Sequence, residues 1–220
     1  MIKLSKRLDE IAKLVSDNTK IIDIGCDHGL LDIYLIQKLN NIKIIASDVN
    51  ENALKSAKEN IKKYKVKNIE TRLGNGLDVV SKDEINTIII SGMGAHSIVS
   101  ILYNNVEKLE KVDNIIIQSN NNHDFLREKI TKLNYYIKEE ILIEEKNIIY
   151  TIIKFSKGNK KYNKKQLLLG PILSQEKSEI FLKKCKIESE KLKLTLKMVP
   201  KNKRLYRYKL KKKIKIYETI

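Results

Sequence analysis

Ile21-Ile22-Asp23-Ile24-Gly25-Cys26-Asp27-His28-Gly29 is the stretch on which the fold of this chain turns. Lys20 to Ile24 is an apolar run of strand length, and Leu30, Leu31, Tyr34, Leu35 and Leu39 follow at helical spacing. A glycine-rich turn between such a strand and helix is where doubly wound α/β folds bind nucleotide-like ligands. Asp27 chooses among those ligands. A dinucleotide fingerprint needs glycine there, so that a pyrophosphate can approach backbone N–H groups, and a carboxylate would repel phosphate. S-adenosylmethionine carries no phosphate, but it does carry a cationic sulfonium and an ammonium. An Asp-x-Gly-x-Asp-x-Gly turn therefore suits S-adenosylmethionine and disfavours NAD. The plain alternative is a strand-to-helix turn with incidental glycines.

Outward from this turn, strand and helix patterns alternate. A first amphipathic helix carries Leu4, Leu8, Ile11, Ala12 and Val15. Strands are expected at Lys20–Ile24, Lys43–Asp48, Ile69–Leu73, Thr87–Ser91 and Asn114–Gln118. Helices are expected near Leu30–Leu39, Glu51–Lys63, Ser97–Leu109 and Asp124–Leu133. This alternation implies βαβ units and a parallel sheet. Two further strands, Tyr135–Ile143 and Asn147–Phe155, are separated by only Glu144-Glu145-Lys146, which makes them an antiparallel hairpin. A parallel sheet closed by a hairpin, seven strands in all, is the arrangement of Rossmann-like class I methyltransferases. Ser156–Lys165 reads as a basic linker. Beyond Gly170-Pro171 the pattern turns helical, with Leu173, Ile180, Ile187 and Leu194 seven apart and Phe181, Cys185, Leu192, Leu196 and Val199 widening the stripe. Pro200-Lys201-Asn202 is a turn signal, and Tyr206, Leu210, Ile214 and Tyr217 fit one face of a second helix. The end of the chain is thus expected to be a helical hairpin, with a short strand at Tyr206–Leu210 as the alternative.

The chain has 220 residues, 42% of them hydrophobic, enough for one good domain plus an appendage. No apolar run reaches membrane-spanning length, and the charged N-terminus lacks a signal-peptide core. Cys26 and Cys185 lie far apart, and His28, His96 and His123 are scattered, so a reduced, cytoplasmic protein without a metal site is expected. The net charge of +17 is unevenly spread. Residues 158–220 hold 20 Lys+Arg against 5 Asp+Glu, whereas residues 1–157 hold 24 against 22. Two domains are expected, a catalytic 1–157 and a basic 158–220, the latter suited to an anionic partner such as RNA.

Asp48 ends the second strand, where an acid can accept hydrogen bonds from both ribose hydroxyls of an adenosine, with Val49 beside it. The alternative is an N-cap for the helix starting at Glu51. Gly74-Asn75-Gly76 follows the third strand, where Asn75 can accept a hydrogen bond from the adenine amine; an ordinary turn is the alternative. Gly92, Met93 and Gly94 end the fourth strand, with room for close backbone approach and a soft apolar wall. The Asp/Asn-Pro-Pro-aromatic signature of many amino-methyltransferases is missing there. The polar run Gln118–His123 either lines an acceptor-base pocket or caps the next helix. His28 is a weak candidate, more often structural than basic.

In combination these segments resemble the bacterial tRNA (adenine-22-N1)-methyltransferases, the TrmK family. The likeness rests on Leu4–Leu8, Asp23–His28, Arg72–Leu77, Gly92–Gly94, Gln118–Asn120, Glu139–Tyr150 and Gly170-Pro171. The resemblance implies a Rossmann-like methyltransferase domain with a coiled-coil-like C-terminal domain that helps bind tRNA. No membrane is expected as a partner, and no obligate protein partner is evident in the sequence. It also implies S-adenosylmethionine as cofactor and methyl transfer to N1 of an adenine in the D-arm. Arg7, Asp23, Gly25, Cys26, Asp27, His28, Asp48, Val49, Gly74, Asn75, Gly76, Gly92, Met93 and Gly94 are the candidate cofactor residues. Arg7 is expected near the methionine carboxylate or an RNA phosphate. Asp27 is the candidate catalytic residue, because methylated adenine is cationic and a carboxylate stabilises the developing charge. Three residues depart from the family pattern: Ala95 for glycine, Ser119 for proline and Asn75 for aspartate. They motivate one alternative, a catalytically silent tRNA-binding protein; a methyltransferase for another RNA or a small molecule is a second.

Overall fold

The computed structural model describes residues 2–220. Its centre is a seven-stranded sheet of β1 (Lys20–Ile24), β2 (Lys43–Asp48), β3 (Ile69–Leu73), β4 (Thr87–Met93), β5 (Asn114–Ser119), β6 (Tyr135–Glu145) and β7 (Ile148–Lys157). The spatial order is β3-β2-β1-β4-β5-β7-β6, with β1 to β5 parallel and β6 and β7 antiparallel. The helices are α1 (Lys6–Lys13), α2 (Leu30–Lys38), α3 (Glu51–Lys63), α4 (Ala95–Tyr103), α5 (His123–Thr131), α6 (Lys164–Leu169), α7 (Leu173–Glu176), α8 (Glu179–Met198) and α9 (Arg204–Glu218).

The central strands are isoleucine runs because both faces of a parallel sheet are covered. Ile88, Ile89 and Ile90 of β4 are fully buried, as are Ile115 and Ile117 of β5. Ile88 and Ile90 join one core cluster and Ile89 the opposite one, as the twofold period of a strand requires. Each such side chain contributes about 1.5–3 kcal/mol from burial. The edge strand β3 is guarded by charge instead. Arg72 pairs with Glu84 at 2.6 Å and Glu70 at 2.8 Å, which blunts edge-to-edge association.

Four expectations need correction. The hairpin turns at Lys146-Asn147, both in the left-handed region (φ 51° and 65°), so Glu144 and Glu145 still pair with Ile149 and Ile148. Two central residues of positive φ match the right-handed strand twist, as in a type I′ turn. β7 consequently runs to Lys157, and Ser156 belongs to the sheet. The helix expected over Ser97–Leu109 is α4 followed by a 3-10 turn at Val106–Leu109. Asn104 and Asn105 separate them, and the Asn105 amide donates to Ile101 O and Asp78 Oδ1, both at 3.2 Å. In α8 the buried residues are Phe181, Cys185 and Ser189, spaced by four, while Leu194 of the expected heptad is 55% exposed. α8 packs on the β6–β7 hairpin as well as on α9, and a helix with two neighbours does not keep a heptad seam. Tyr206, placed on the buried face of the last helix, is 49% exposed; Leu210 and Ile214 carry that face.

The C-terminal segment is pinned to the sheet by polar contacts. Arg127 Nε on α5 donates to Glu140 Oε1 at 2.6 Å with both side chains buried, and Arg127 Nη1 donates to Leu167 O at 3.0 Å. Glu140 Oε2 accepts the Ile172 N–H at 2.9 Å. Lys213 pairs with Asp124 at 2.5 Å and Lys183 with Glu144 at 2.6 Å, and Lys184 donates to Thr151 Oγ1.

Candidate active site

Strand order reverses between β1 and β4, and the crevice of an open α/β sheet lies beyond the carboxyl ends of the strands at that point. A cavity of about 560 Å³ occupies it, lined among others by Gly25, Asp48, Val49, Gly74, Asn75, Gly76 and Met93. Seven candidate cofactor residues thus surround one space.

The β1 turn is built by the backbone. Gly25 and Cys26 N–H groups both donate to Ser47 O, at 2.8 and 3.0 Å, so the chain doubles back over the end of β2. Gly25 has φ 78°, and a Cβ there would lie 2.7 Å from Met93 Cε, so this glycine is what lets the β4 methionine close the floor. Asp27 also sits in the left-handed region, at φ 52°, and its N–H donates to Asp48 Oδ2 at 3.3 Å. The other Asp48 oxygen accepts from Asn50 N at 2.9 Å. The N-cap of α3 is Asn50, whose side chain accepts from Asn52 N at 2.9 Å. Asp48 is therefore a carboxylate oriented by two backbone donors at the cavity wall, with lone pairs left for a ligand.

Val49 is 68% exposed at the cavity edge, an apolar surface that an aromatic ring can cover. Asn75 is exposed, and its side chain makes no capping bond. Asp23 is buried and Cys26 is a buried free thiol; burial, with Asp23, Asp32 and Asp48 nearby, pushes that thiol up and keeps it protonated. Asp27 and His28 stand at the rim, His28 Nε2 lying 3.6 Å from Asp27 Oδ1 with both side chains more than half exposed. They do not line the cavity.

Across the crevice, Arg7 reaches Gln118 on β5, with Arg7 Nη1 to Gln118 Oε1 at 2.8 Å. The same oxygen accepts the Gly92 N–H at 3.1 Å, while Gln118 Nε2 donates to Asn120 Oδ1 at 3.1 Å. Asn120 Nδ2 returns to Gly92 O at 2.7 Å. The guanidinium carbon of Arg7 lies 5.2 Å from the Tyr150 ring centroid. This ring of contacts, with Tyr150, is what sequence reasoning missed. Arg7 and the Gln118–Asn120 run were each singled out, but nothing local joins residues 111 positions apart. Asn122 is the N-cap of α5 without a side-chain capping bond, so the polar run works mostly between β4 and β5. Asn121 Oδ1 accepts from Ala95 N at 3.2 Å, and Ser119 Oγ donates to Asn121 O at 2.9 Å, so two of the three departing positions, Ala95 and Ser119, are tied to Asn121. Among the described residues no group of three His, Cys, Asp or Glu is placed to hold a metal ion, and no helix is long and apolar enough to cross a membrane.

The crevice is acidic on one wall, apolar at its edge and lined by glycines, which fits an adenosine that carries cationic charge and no phosphate. Comparison with known proteins agrees. The profile of the TrmK family, described as tRNA (adenine(22)-N(1))-methyltransferase, matches residues 21–219. The tRNA (adenine(22)-N(1))-methyltransferase of Bacillus subtilis is 33% identical over 190 residues, covering 83% of this chain and 80% of that protein. The crystal structure of the B. subtilis m1A22 tRNA methyltransferase TrmK superposes with a TM-score of 0.90 at 27% identity, covering 100% and 99% of the two chains. The structure of M. capricolum TrmK in complex with S-adenosylhomocysteine gives 0.85 at 30% identity, covering 98% and 96%. With a seven-stranded sheet and a crevice at its switch point, this chain belongs to the TrmK family of tRNA (adenine(22)-N(1))-methyltransferases.

Proposed function

We propose that the crevice between β1 and β4 binds S-adenosylmethionine and that an adenine of tRNA enters from the β4–β5 side to be methylated at N1. The observation that carries this reading is Asp48, held by two backbone donors on the wall of the cavity. Asp48 would take the ribose hydroxyls, Val49 the face of the adenine, and Asn75 its amine. Gly25 lets Met93 approach the turn, and Met93 forms the floor. When bound, S-adenosylmethionine supplies an electrophilic methyl group for the in-plane lone pair of adenine N1.

That lone pair needs no strong base, so the residues act by placement and charge. Asn120, fixed by Gln118 and Gly92, offers an amide of set orientation to the entering base. Asp27 at the rim carries the negative charge that favours a base becoming cationic. Freeing the base from its stack costs a few kcal/mol, which contacts elsewhere on the tRNA must offset. Residues 158–220, with their surplus of 15 positive charges, are suited to supply them, and we read 1–157 as the methyltransferase domain and 158–220 as the RNA-binding one.

The test is methylation of unmodified tRNA transcripts that differ only in an adenine or guanine at position 22, with nucleoside mass analysis. N1-methyladenosine from the adenine transcript alone is the expected result. Binding of both without product would favour the silent tRNA-binding alternative.

A further inference from the structure

α9 has two apolar faces, and only one of them is covered. Leu210 and Ile214 are buried, whereas Leu205 and Tyr208 are exposed large apolar side chains. Leu205, Tyr208, Lys209 and Lys212 recur at i, i+3, i+4 and i+7, so they share one side of the helix. Across from them stand Lys164 and Leu167 of α6 and the first turns of α5, and the space between is a groove of about 460 Å³. That is the scale of a small-ligand site. Arg207 Nη1 donates to Leu196 O at 2.8 Å, and Lys213 Nζ pairs with Asp124 at 2.5 Å. α9 is thereby fixed against α8 on one side and α5 on the other, which holds the groove open.

The groove is apolar inside and cationic at its rim. Its two acids are already paired, Asp124 with Lys213 and Glu128 with Lys132 at 2.6 Å. Lys164, Lys209 and Lys212 are exposed and have no acid partner among the described residues. An occupant must therefore be flat or apolar in its middle and negative around it. A second copy of this chain fits badly. α9 carries seven Lys+Arg against the single Glu218, so two copies would bring like charges together, and lysine is scarce in the cores of protein interfaces. A nucleotide fits well. Every base has a π-face that stacks on an aromatic side chain, and its flanking phosphates meet lysines. A duplex hides those faces, so the match is to an unpaired nucleotide. The location agrees, since Asp124 in the groove wall is only four residues from Asn120. That is at most about 14 Å of chain, a gap that a few nucleotides of one strand can bridge.

We propose that the groove between α5, α6 and α9 is a second base-binding site, in which an unpaired nucleotide of the tRNA stacks on Tyr208 while Lys164, Lys209 and Lys212 hold its flanking phosphates. This rests on the reading of residues 158–220 as RNA-binding and adds to it a base distinct from the one that is methylated. Tyr208→Ala should weaken tRNA binding by about 5- to 150-fold, the range for one stacked base. The salt dependence should stay as steep as in wild type, because no phosphate contact is removed. Tyr208→Phe keeps the ring and should bind within a few-fold of wild type. Unchanged affinity in Tyr208→Ala, or an equal loss in both variants, overturns the proposal.

The chain contains no tryptophan, so Tyr208→Trp in the full-length protein places a single indole in the groove. Stacking against a base quenches indole emission. The variant is titrated with an unmodified tRNA transcript and, separately, with a blunt-ended RNA duplex carrying the same number of phosphates. Anisotropy of end-labelled RNA reports binding in each case. Strong quenching by tRNA, and little by the bound duplex, is the expected result. Equal quenching by both, or none by tRNA that is bound, overturns the proposal. So does emission that changes with protein concentration in the absence of RNA, which would mark a second copy in the groove. A blue shift on phosphatidylglycerol vesicles without a response to tRNA would give the groove to a membrane surface instead. If wild type does not bind tRNA at all, the RNA-binding reading of residues 158–220 is what has failed. The Tyr208→Ala and Tyr208→Phe affinities decide the matter should the indole variant not fold.

Discussion

Arg7 Nη1 donates to Gln118 Oε1 at 2.8 Å, tying the first helix to the fifth strand at the point where β4 bulges around Gly92. Because that oxygen also accepts the Gly92 N–H, the Gln118 amide has one orientation, and its NH2 must face Asn120. Arg7→Ala removes a charged donor and frees the amide to turn. Such hydrogen bonds contribute about 1.5–3 kcal/mol, so methyl transfer at saturating cofactor should fall by about 10- to 100-fold. Cofactor affinity should stay within a few-fold. Single-turnover assays beside calorimetry check this. Parallel losses in both would move Arg7 into the cofactor site.

Asp48→Ala should weaken S-adenosylmethionine binding by about 1–3 kcal/mol, the cost of leaving ribose hydroxyls unpaired. The Asp27 and Asn50 N–H groups also lose their acceptor, so the turn itself loosens. Asp48→Asn keeps one acceptor oxygen and should lose less. Equal affinity in Asp48→Ala and wild type would take Asp48 off the ribose.

Asp27→Ala isolates charge from cofactor contact. The Asp27 backbone N–H, which Asp48 uses, survives the substitution. Turnover at saturating cofactor should therefore drop more than affinity does. The opposite pattern, with affinity lost and turnover within a few-fold of wild type, would make Asp27 a cofactor ligand only.

The contrast between these sites shows what a sequence displays locally. The bounds of β1, β2, β3 and α3 are legible because each is a short apolar or amphipathic run punctuated by Gly, Asn or Asp. The cofactor turn is legible for the same reason, since its residues are neighbours in the chain. Gln118 with Arg7 is not, because side-chain networks depend on register between elements. α8 misleads for a related reason. Its leucines suggest a heptad, yet Phe181, Cys185 and Ser189 face inward because the hairpin β6–β7 takes one side of the helix.

His123, at the start of α5, is held well below its usual range by burial, with Lys184 and Arg127 adding repulsion. A folded-state value below the unfolded one means that the unfolded chain binds more protons. Stability from neutral His123 is thus fully present above about pH 6.5 and is lost as pH falls below it. Asp23 and Asp32, whose folded values are raised, push the other way over part of that range. The useful quantity is therefore the difference between wild type and His123→Gln in urea midpoints from pH 7.5 to pH 5. Wild type should lose stability relative to the variant on acidification, and parallel curves would show that His123 does not titrate as its burial demands.

Lys209, Lys211 and Lys212 lie exposed on α9, next to Tyr208, which is 63% exposed, and Leu205, which is 69% exposed. None of the three lysines is paired with an acid among the described residues, unlike Lys213, which holds Asp124, and Lys193, which holds Glu218 at 2.6 Å. Replacing all three by glutamate leaves the buried Leu210 and Ile214 face intact, so the fold and cofactor binding should persist. Affinity for tRNA should fall, and the slope of log K against log salt should become shallower by about one for each phosphate that is no longer neutralised. Salt titrations of both proteins, with circular dichroism to confirm folding, read this directly. An unchanged slope in the folded variant would mean that the positive surplus of residues 158–220 is merely solvated and that tRNA is held elsewhere.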